Sequence, residues 1–222
     1  MMRTKLLRFL LVGSLLIGSI ATASADNEVE NVEAYRIGVE MDWKLFDVKG
    51  LKFSLAPQLR YGEGFDYEQM VIETGVRYKT FGFLYWSANY RLTVEPTGEM
   101  MQTDKYGRYF LSLTAKESFG DFTPSLRAMY TNYTNEDVND TEYMRYRAKV
   151  NYDIPKCPIT PYLSTELFYD MDENLLNRTR IGAGVDYKVK KNNYIGLDYK
   201  LDYYALKYKN RHIFSLGYKV SF

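Results

Sequence analysis

The sequence predicts an all-β fold, a transmembrane antiparallel up-and-down β-barrel, and three observations lead to that prediction. Large apolar residues alternate with polar ones from Tyr35 onward, as in strands whose two faces meet different environments. The alternating segments run for about ten residues or more, the length that a tilted membrane-spanning strand needs. Beyond residue 25, no apolar run approaches the ~20 residues of a spanning helix, so a membrane-embedded chain must cross as a closed sheet.

The first element is a secretory signal peptide, predicted over residues 1–25. A basic start at Met1–Lys5 precedes an apolar stretch over Leu6–Ile20, and Ala23–Ala25 offers a small-x-small cleavage site. The alternative is an uncleaved transmembrane helix. Residues 26–222 are predicted to form a single barrel domain.

Period-two alternation divides this domain into eleven clear strands. Their predicted spans are Tyr35–Leu45, Leu51–Tyr61, Gln69–Lys79, Leu84–Leu92, Arg108–Lys116, Phe122–Tyr130, Met144–Tyr152, Ile159–Asp170, Arg178–Lys188, Ile195–Tyr203 and Arg211–Phe222. Single-chain bacterial barrels have an even number of strands. We therefore expect twelve, with Asp26–Glu33 as a short additional strand, or ten if one segment does not span the membrane.

The connections between these strands are predicted to alternate in length. Short turns follow the odd-numbered strands, and longer, acid-rich loops such as Val94–Lys105 and Asn132–Asp140 follow the even-numbered ones. In membrane barrels, short turns face the periplasm and long loops face outside. This assignment places the C-terminus in the periplasm.

The last strand resembles the terminal signal of bacterial outer-membrane barrels. Its apolar and aromatic residues share one face and end on the C-terminal aromatic: Phe214, Leu216, Tyr218, Val220 and Phe222. We expect the barrel-assembly machinery and periplasmic chaperones to be partners during biogenesis, and outer-membrane lipids to surround the folded chain.

The composition agrees with this class and excludes others. The chain holds 22 Tyr and 12 Phe but only 6 Pro, and tyrosine collects at bilayer interfaces, where its apolar ring and polar tip are both satisfied. A formal net charge of +1 gives no indication of nucleic-acid binding. The single cysteine, Cys157, cannot form an internal disulfide or complete a multi-cysteine metal site.

Several segments of the second half resemble a known family. They are Arg145–Arg147, Pro161–Glu166, Asn177–Gly184 and His212–Tyr218, which look like the domain-of-unknown-function 2490 family of Gram-negative outer-membrane barrels. The resemblance is best from Tyr143 to Phe222. It implies an outer-membrane location and carries no agreed activity or catalytic residues.

The polar face of the predicted strands is heavily charged, with basic residues in excess. These lumen-lining candidates are Arg36, Glu40, Arg60, Glu73, Arg77, Arg91, Arg108, Arg127, Arg145, Arg147, Glu166, Arg178, Arg180, Asp186 and Asp198. One interpretation is a plugged structural barrel in which these charges pair, since an isolated buried charge is costly. The other is a narrow channel whose arginine excess favours small anionic solutes.

Enzymatic activity is not predicted, although a lipid-modifying enzyme remains an alternative. Barrel lipid hydrolases use a His-x-Ser pair on the lipid-facing side, and the only histidine, His212, is followed two residues later by Phe214. No metal or other cofactor is expected, because the acidic loop Asn132–Asp140 lacks the spacing of a calcium site. A surface docking or adhesion barrel is the third alternative.

Overall fold

The computed structural model describes residues 30–45, 48–97, 103–134, 141–204 and 209–222. Within them, eleven strands form one closed barrel, so the all-β barrel prediction is confirmed. The strands are β1 (Glu30–Lys44), β2 (Leu51–Tyr61), β3 (Tyr67–Phe81), β4 (Leu84–Pro96), β5 (Thr103–Lys116), β6 (Phe122–Tyr133), β7 (Tyr143–Tyr152), β8 (Ile159–Asp170), β9 (Leu175–Lys190), β10 (Asn193–Tyr204) and β11 (Lys209–Ser221). A short 3-10 helix, Glu63–Phe65, lies between β2 and β3.

The first and last strands close the barrel in parallel. Every other pairing is antiparallel between sequence neighbours, whereas β1 runs beside β11 from the Glu30–Lys209 pair to the Asp42–Ser221 pair. The barrel therefore has two distinct rims. The turn-side rim carries the connections after the odd-numbered strands and the C-terminus, and the loop-side rim carries the remaining connections and the start of β1.

The predicted strand number is wrong for the described residues, both as twelve and as ten. Of the stretch Asp26–Glu33, residues 30–33 belong to the beginning of β1, and residues 26–29 lie outside the described residues. The even-number expectation assumed an antiparallel seam, and a parallel seam allows an odd number. The predicted signal peptide, residues 1–25, lies outside the described residues.

The two rims do not differ uniformly in connection length. Several strands extend into segments that were expected to be loops: β4 continues to Pro96 and β5 begins at Thr103. The loop-side connection between β8 and β9 spans only 171–174, while the turn-side connection between β7 and β8 spans 153–158.

The alternating sequence turns the barrel's large apolar side chains outward. Leu163 is 63% exposed and Leu197 is 54% exposed, although both lie in the middle of strands, whereas the inward-facing Glu166 and Thr131 are buried. This arrangement is the reverse of a water-soluble fold, which places apolar side chains inside. Within the described residues, no helix is long and apolar enough to cross a membrane.

Aromatic residues on the outer surface cluster near both rims. Near the turn side, Phe122 stacks on Tyr152 with 4.8 Å between ring centroids. Near the loop side, Tyr35 stacks on Phe65 at 4.0 Å and on Phe214 at 5.6 Å. Such belts are typical of barrels whose apolar band is flanked by interfacial aromatics.

Candidate functional site: the barrel lumen

The lumen is the candidate site because it gathers charged side chains from every part of the barrel. Packed side chains occupy the loop-side half, which we call the filled half, and two cavities lie in the turn-side half, which we call the hollow half. Among the sequence-predicted residues, the filled half contains Arg91, Arg108, Arg145, Glu166, Arg178 and Arg180. The hollow half is lined by Glu40, Glu73, Arg77, Arg127, Arg147, Asp186 and Asp198. Arg36 and Arg60 are paired cross-strand neighbours and line neither cavity of the hollow half.

Glu166 is the central carboxylate of the filled half. Its Oε1 accepts hydrogen bonds from Nη2 of Arg127 at 3.1 Å and from Nη2 of Arg145 at 3.0 Å. Nη1 of Arg180 lies 3.9 Å from the other oxygen. A carboxylate this deeply buried is retained only where cations and hydrogen bonds replace its hydration, and here three strands supply them.

Asp202 forms a second ion cluster beside it. Arg180 binds this fully buried carboxylate through two hydrogen bonds of 2.5 and 2.7 Å, and Arg178 adds a third at 3.2 Å. The two-pronged arginine contact is the strong, geometrically specific form of a carboxylate ion pair. Because Arg180 also approaches Glu166, it connects the two clusters.

Aromatic rings fill the space between these arginines. The buried Phe168 carries three guanidinium groups, those of Arg178 at 3.7 Å, Arg145 at 4.5 Å and Arg180 at 5.2 Å from its ring centroid. Desolvated cation–π contacts of this kind contribute about 1 to 2 kcal/mol each. The same arrangement recurs where Arg91 lies over Phe110 at 4.6 Å and Arg108 over Tyr133 at 3.8 Å.

We call this filled half the arginine–aromatic plug. It consists of Arg91, Arg108, Arg145, Arg178, Arg180, Glu166, Asp202, Phe110, Tyr133 and Phe168. Its apolar surroundings include Val71 and Ile213, which are buried inside the barrel. The plug spans the lumen from strand to strand, so the loop-side half holds packed side chains.

We call the hollow half the vestibule. It comprises an inner cavity of about 470 Å³ and an outer one of about 540 Å³. Both are lined by Glu40, Arg147 and Lys149, so the two cavities lie next to each other. The outer cavity includes Asp153 and Thr160, which flank the β7–β8 turn, and it therefore reaches the turn-side rim.

Glycines line one wall of the vestibule. Gly38, Gly217 and Gly196 are direct cross-strand neighbours on β1, β11 and β10, and all three line the inner cavity. A Cβ atom built on Gly217 would meet no atom closer than 4.0 Å, which shows open space beside it. A Cβ atom on Gly38 would lie 3.0 Å from the Pro57 carbonyl oxygen and one on Gly196 2.8 Å from Oδ1 of Asp186, so the open recess lies beside Gly217.

Most acidic groups of the vestibule have a cation beside them. Asp42 accepts a hydrogen bond from Arg77 at 2.8 Å. The ammonium of Lys219 lies 3.2 Å from Asp186. Lys200 and Asp198 form a corresponding pair at 2.5 Å.

Some residues of the site were not among the sequence candidates. Asp42, Asp202 and Lys149 lie on the polar face of their strands. The alternation of polar and apolar residues was therefore enough to include them among the lumen-lining candidates. A different sequence feature indicates the plug: Phe110 and Phe168 are large aromatic residues at positions of β5 and β8 where the alternation predicts polar ones. Glu68 and Arg211, which pair at 2.7 Å, meet across the barrel through an irregular register in β3 that sequence alternation does not reveal.

The only histidine lies outside the lumen. Nδ1 of His212 forms a 2.8 Å hydrogen bond with the hydroxyl group of Tyr199. Its Nε2 lies 3.3 Å from the side-chain oxygen of Asn31. This chain of three groups lies on the outer surface near the loop-side rim. Phe214, two residues beyond His212, faces outward as the sequence predicted; it stacks on Tyr35 and makes a tilted ring contact with Tyr199.

Comparison with known proteins adds a family to this geometry. Within the described residues, no group of three or more His, Cys, Asp or Glu side chains is arranged to hold a metal ion. No curated protein and no solved structure matches the chain. The family model described as a protein of unknown function, DUF2490, matches residues 37–212, which run from the middle of β1 into β11. The predicted resemblance is confirmed, and the chain belongs to the DUF2490 family.

Proposed function

We propose that the protein is an integral outer-membrane barrel whose lumen is closed to free flow and holds a solute-accessible vestibule on the periplasmic side. The observation that supports this most directly is the inverted distribution of polarity around a closed sheet. Leucines such as Leu163 and Leu197 face outward, while the interior holds ion clusters around Glu166 and Asp202. An exposed apolar band of this extent is stable in hydrocarbon and prone to aggregation in water.

The arginine–aromatic plug favours a closed barrel over a constitutive channel. A conducting lumen needs a water-filled path through its full length. Phe110, Phe168, Thr131 and Ile213 are buried across the loop-side half, and the interleaved guanidinium groups occupy the space between them. Of the two interpretations drawn from the charged face, the plugged barrel therefore fits this geometry better.

Fractionation and conductance measurements test the two parts of this proposal. We expect the mature chain in the outer-membrane fraction, with the gel mobility of a folded barrel before boiling and a slower mobility after it. Recovery of folded chain from detergent-free periplasmic extract would contradict the membrane location. In planar bilayers, purified protein should give no steady single-channel current, and regular long-lived open events would contradict the closed lumen.

A lipid-modifying activity is the second candidate, favoured only by the Tyr199–His212–Asn31 chain. A hydroxyl hydrogen-bonded to an imidazole, which is itself oriented by a third polar group, is the general form of an activated nucleophile. Comparison of envelope lipids from cells with wild-type protein and with His212→Ala tests this candidate. Identical lipid profiles, at equal amounts of folded barrel, would eliminate it.

A further inference from the structure

We propose that the vestibule binds a small oxyanion, a molecule bearing phosphate or carboxylate groups, on the wall formed by β5, β6 and β7. We call this the basic wall, and it consists of Lys116, Arg127, Arg147 and Lys149, all of which line the outer cavity. The inference deepens the proposed function, since it assigns a ligand class to the vestibule of the closed barrel.

The cations of the basic wall are brought together by strand register. Arg127 of β6 is directly opposite Arg147 of β7, and Lys149 follows two residues later on the same face. Like charges in direct cross-strand opposition destabilise a sheet unless an opposite charge accompanies them. A negatively charged group bound on this wall would therefore reduce the repulsion between Arg127 and Arg147.

The protein supplies little of that negative charge itself. Among the described residues, no carboxylate oxygen lies within 4.0 Å of the charged groups of Lys116, Arg147 or Lys149. Glu166 is the cross-strand neighbour of Arg147, but its hydrogen bonds go to Arg127 and Arg145. The ammonium of Lys149 lies 3.5 Å from the ring centroid of Tyr162, which positions it in the lumen without neutralising it.

The far wall of the vestibule compensates only in part, because most of its carboxylates are already paired. Asp42, Asp186 and Asp198 each have a lysine or arginine of their own within 3.2 Å. Glu40 on this wall and Asp153 at the turn-side rim have no cation within 4.0 Å among the described residues. The cations that line the outer cavity still outnumber its carboxylates: Arg77, Lys116, Arg127, Arg147, Lys149 and Lys219 against Glu40, Asp42, Asp153 and Asp186.

Space and access complete the site. The inner cavity of about 470 Å³ and the outer one of about 540 Å³ each fall in the range of small-molecule pockets. The open recess beside Gly217, in the wall of β1, β11 and β10, leaves room for a ligand body. The guanidinium group of Arg147 beside the ammonium group of Lys149 can donate hydrogen bonds to the oxygens of either a phosphate or a carboxylate.

Titration calorimetry on the full-length mature barrel in detergent micelles at low ionic strength tests the site. Pyrophosphate and citrate serve as probes, one for each oxyanion class, and we expect saturable binding of at least one. Arg147→Gln should weaken that binding by about tenfold or more, as expected when one charged hydrogen-bonding partner is lost. Arg147→Lys should retain part of it, since the charge stays and the fork is lost.

Matched variants separate a specific site from a general charge effect. Lys190→Gln removes the same charge from an exposed position at the turn-side end of β9, outside both cavities, and should leave the affinity unchanged. Gly217→Leu should reduce binding by occupying the recess without displacing backbone. Folding is checked in every variant by gel mobility before and after boiling.

The outcomes are separable from those of the proposed function. A folded, membrane-located barrel that shows no saturable heat with either probe overturns the inference alone. Equal affinity in wild type and Arg147→Gln does the same. Saturable binding that Arg147→Gln and Gly217→Leu weaken and Lys190→Gln does not would support it, whatever the conductance measurements give.

Discussion

Trp43, near the end of β1, stacks on the C-terminal Phe222 with 5.5 Å between ring centroids and an interplanar angle of 9°. The backbone N–H of Phe222 also donates a 2.9 Å hydrogen bond to the carbonyl of Asp42. The two contacts join the turn-side ends of the first and last strands. The C-terminal aromatic therefore helps to close the barrel, in addition to its expected role as an assembly signal.

Phe222→Ala should weaken this closure. Loss of an aromatic stack of this geometry costs about 1 kcal/mol beyond the buried area, and we expect a smaller folded fraction after refolding into micelles. Phe122→Ala is the matched control, because Phe122 is also an outward aromatic near the turn-side rim and stacks on Tyr152 away from the seam. An equal loss in both variants would argue against a special role at the seam.

Glu166→Gln should be strongly destabilising. The substitution leaves Arg127 and Arg145 without their shared carboxylate, and removing one partner of a buried ion pair costs about 3 to 5 kcal/mol. Urea unfolding of the barrel in micelles measures the change. Glu40→Gln, which removes a lumen carboxylate without an ion pair, should shift the midpoint much less, and equal shifts would contradict the assigned role of Glu166.

Phe168→Ala should loosen the plug. The ring supports the guanidinium groups of Arg145, Arg178 and Arg180, so its removal leaves a cavity and frees three cations. We expect transient channel events in planar bilayers that wild type lacks. Leu167→Ala removes an outward side chain from the same strand and should stay silent, and a silent Phe168→Ala would show that the ring does not keep the lumen closed.

Cys157 gives a direct test of orientation. It is exposed in the connection between β7 and β8, and it is the only cysteine in the sequence. With the turn-side rim in the periplasm, a large membrane-impermeant maleimide should label it only after the outer membrane has been permeabilised. In the double variant Cys157→Ser with Glu63→Cys, the cysteine lies at the loop-side rim and should be labelled in intact cells. The opposite pattern would reverse the assigned orientation.

Much of the strand layout could be predicted from the sequence because each connection interrupts the alternation sharply. The predicted spans Leu51–Tyr61 and Ile159–Asp170 coincide with β2 and β8. Parity also indicated which residues share a face, since successive side chains of a strand point to opposite sides. Strand bounds and the face on which a residue lies depend on neighbouring residues in the chain, so both can be predicted from the local sequence.

Closure and pairing inside the lumen depend on the whole barrel and could not be predicted in the same way. Nothing in the alternation of β1 distinguishes a parallel neighbour from an antiparallel one. The contact of Arg127 with Glu166 crosses from β6 to β8, and that of Arg77 with Asp42 crosses from β3 to β1. Such contacts skip a strand, and their geometry follows from the curvature and tilt of the closed sheet.

The parallel seam also sets the order in which the barrel can form. All antiparallel pairings join sequence neighbours, whereas the seam brings together Glu30 and Lys209, so it carries the largest loop-closure entropy and should form last. Until that moment both outer strands present unsatisfied backbone groups, which are templates for mispairing between nascent chains. An assembly factor would thus have two edges to shield at once, and the final step would convert an aggregation-prone ribbon into an edgeless cylinder.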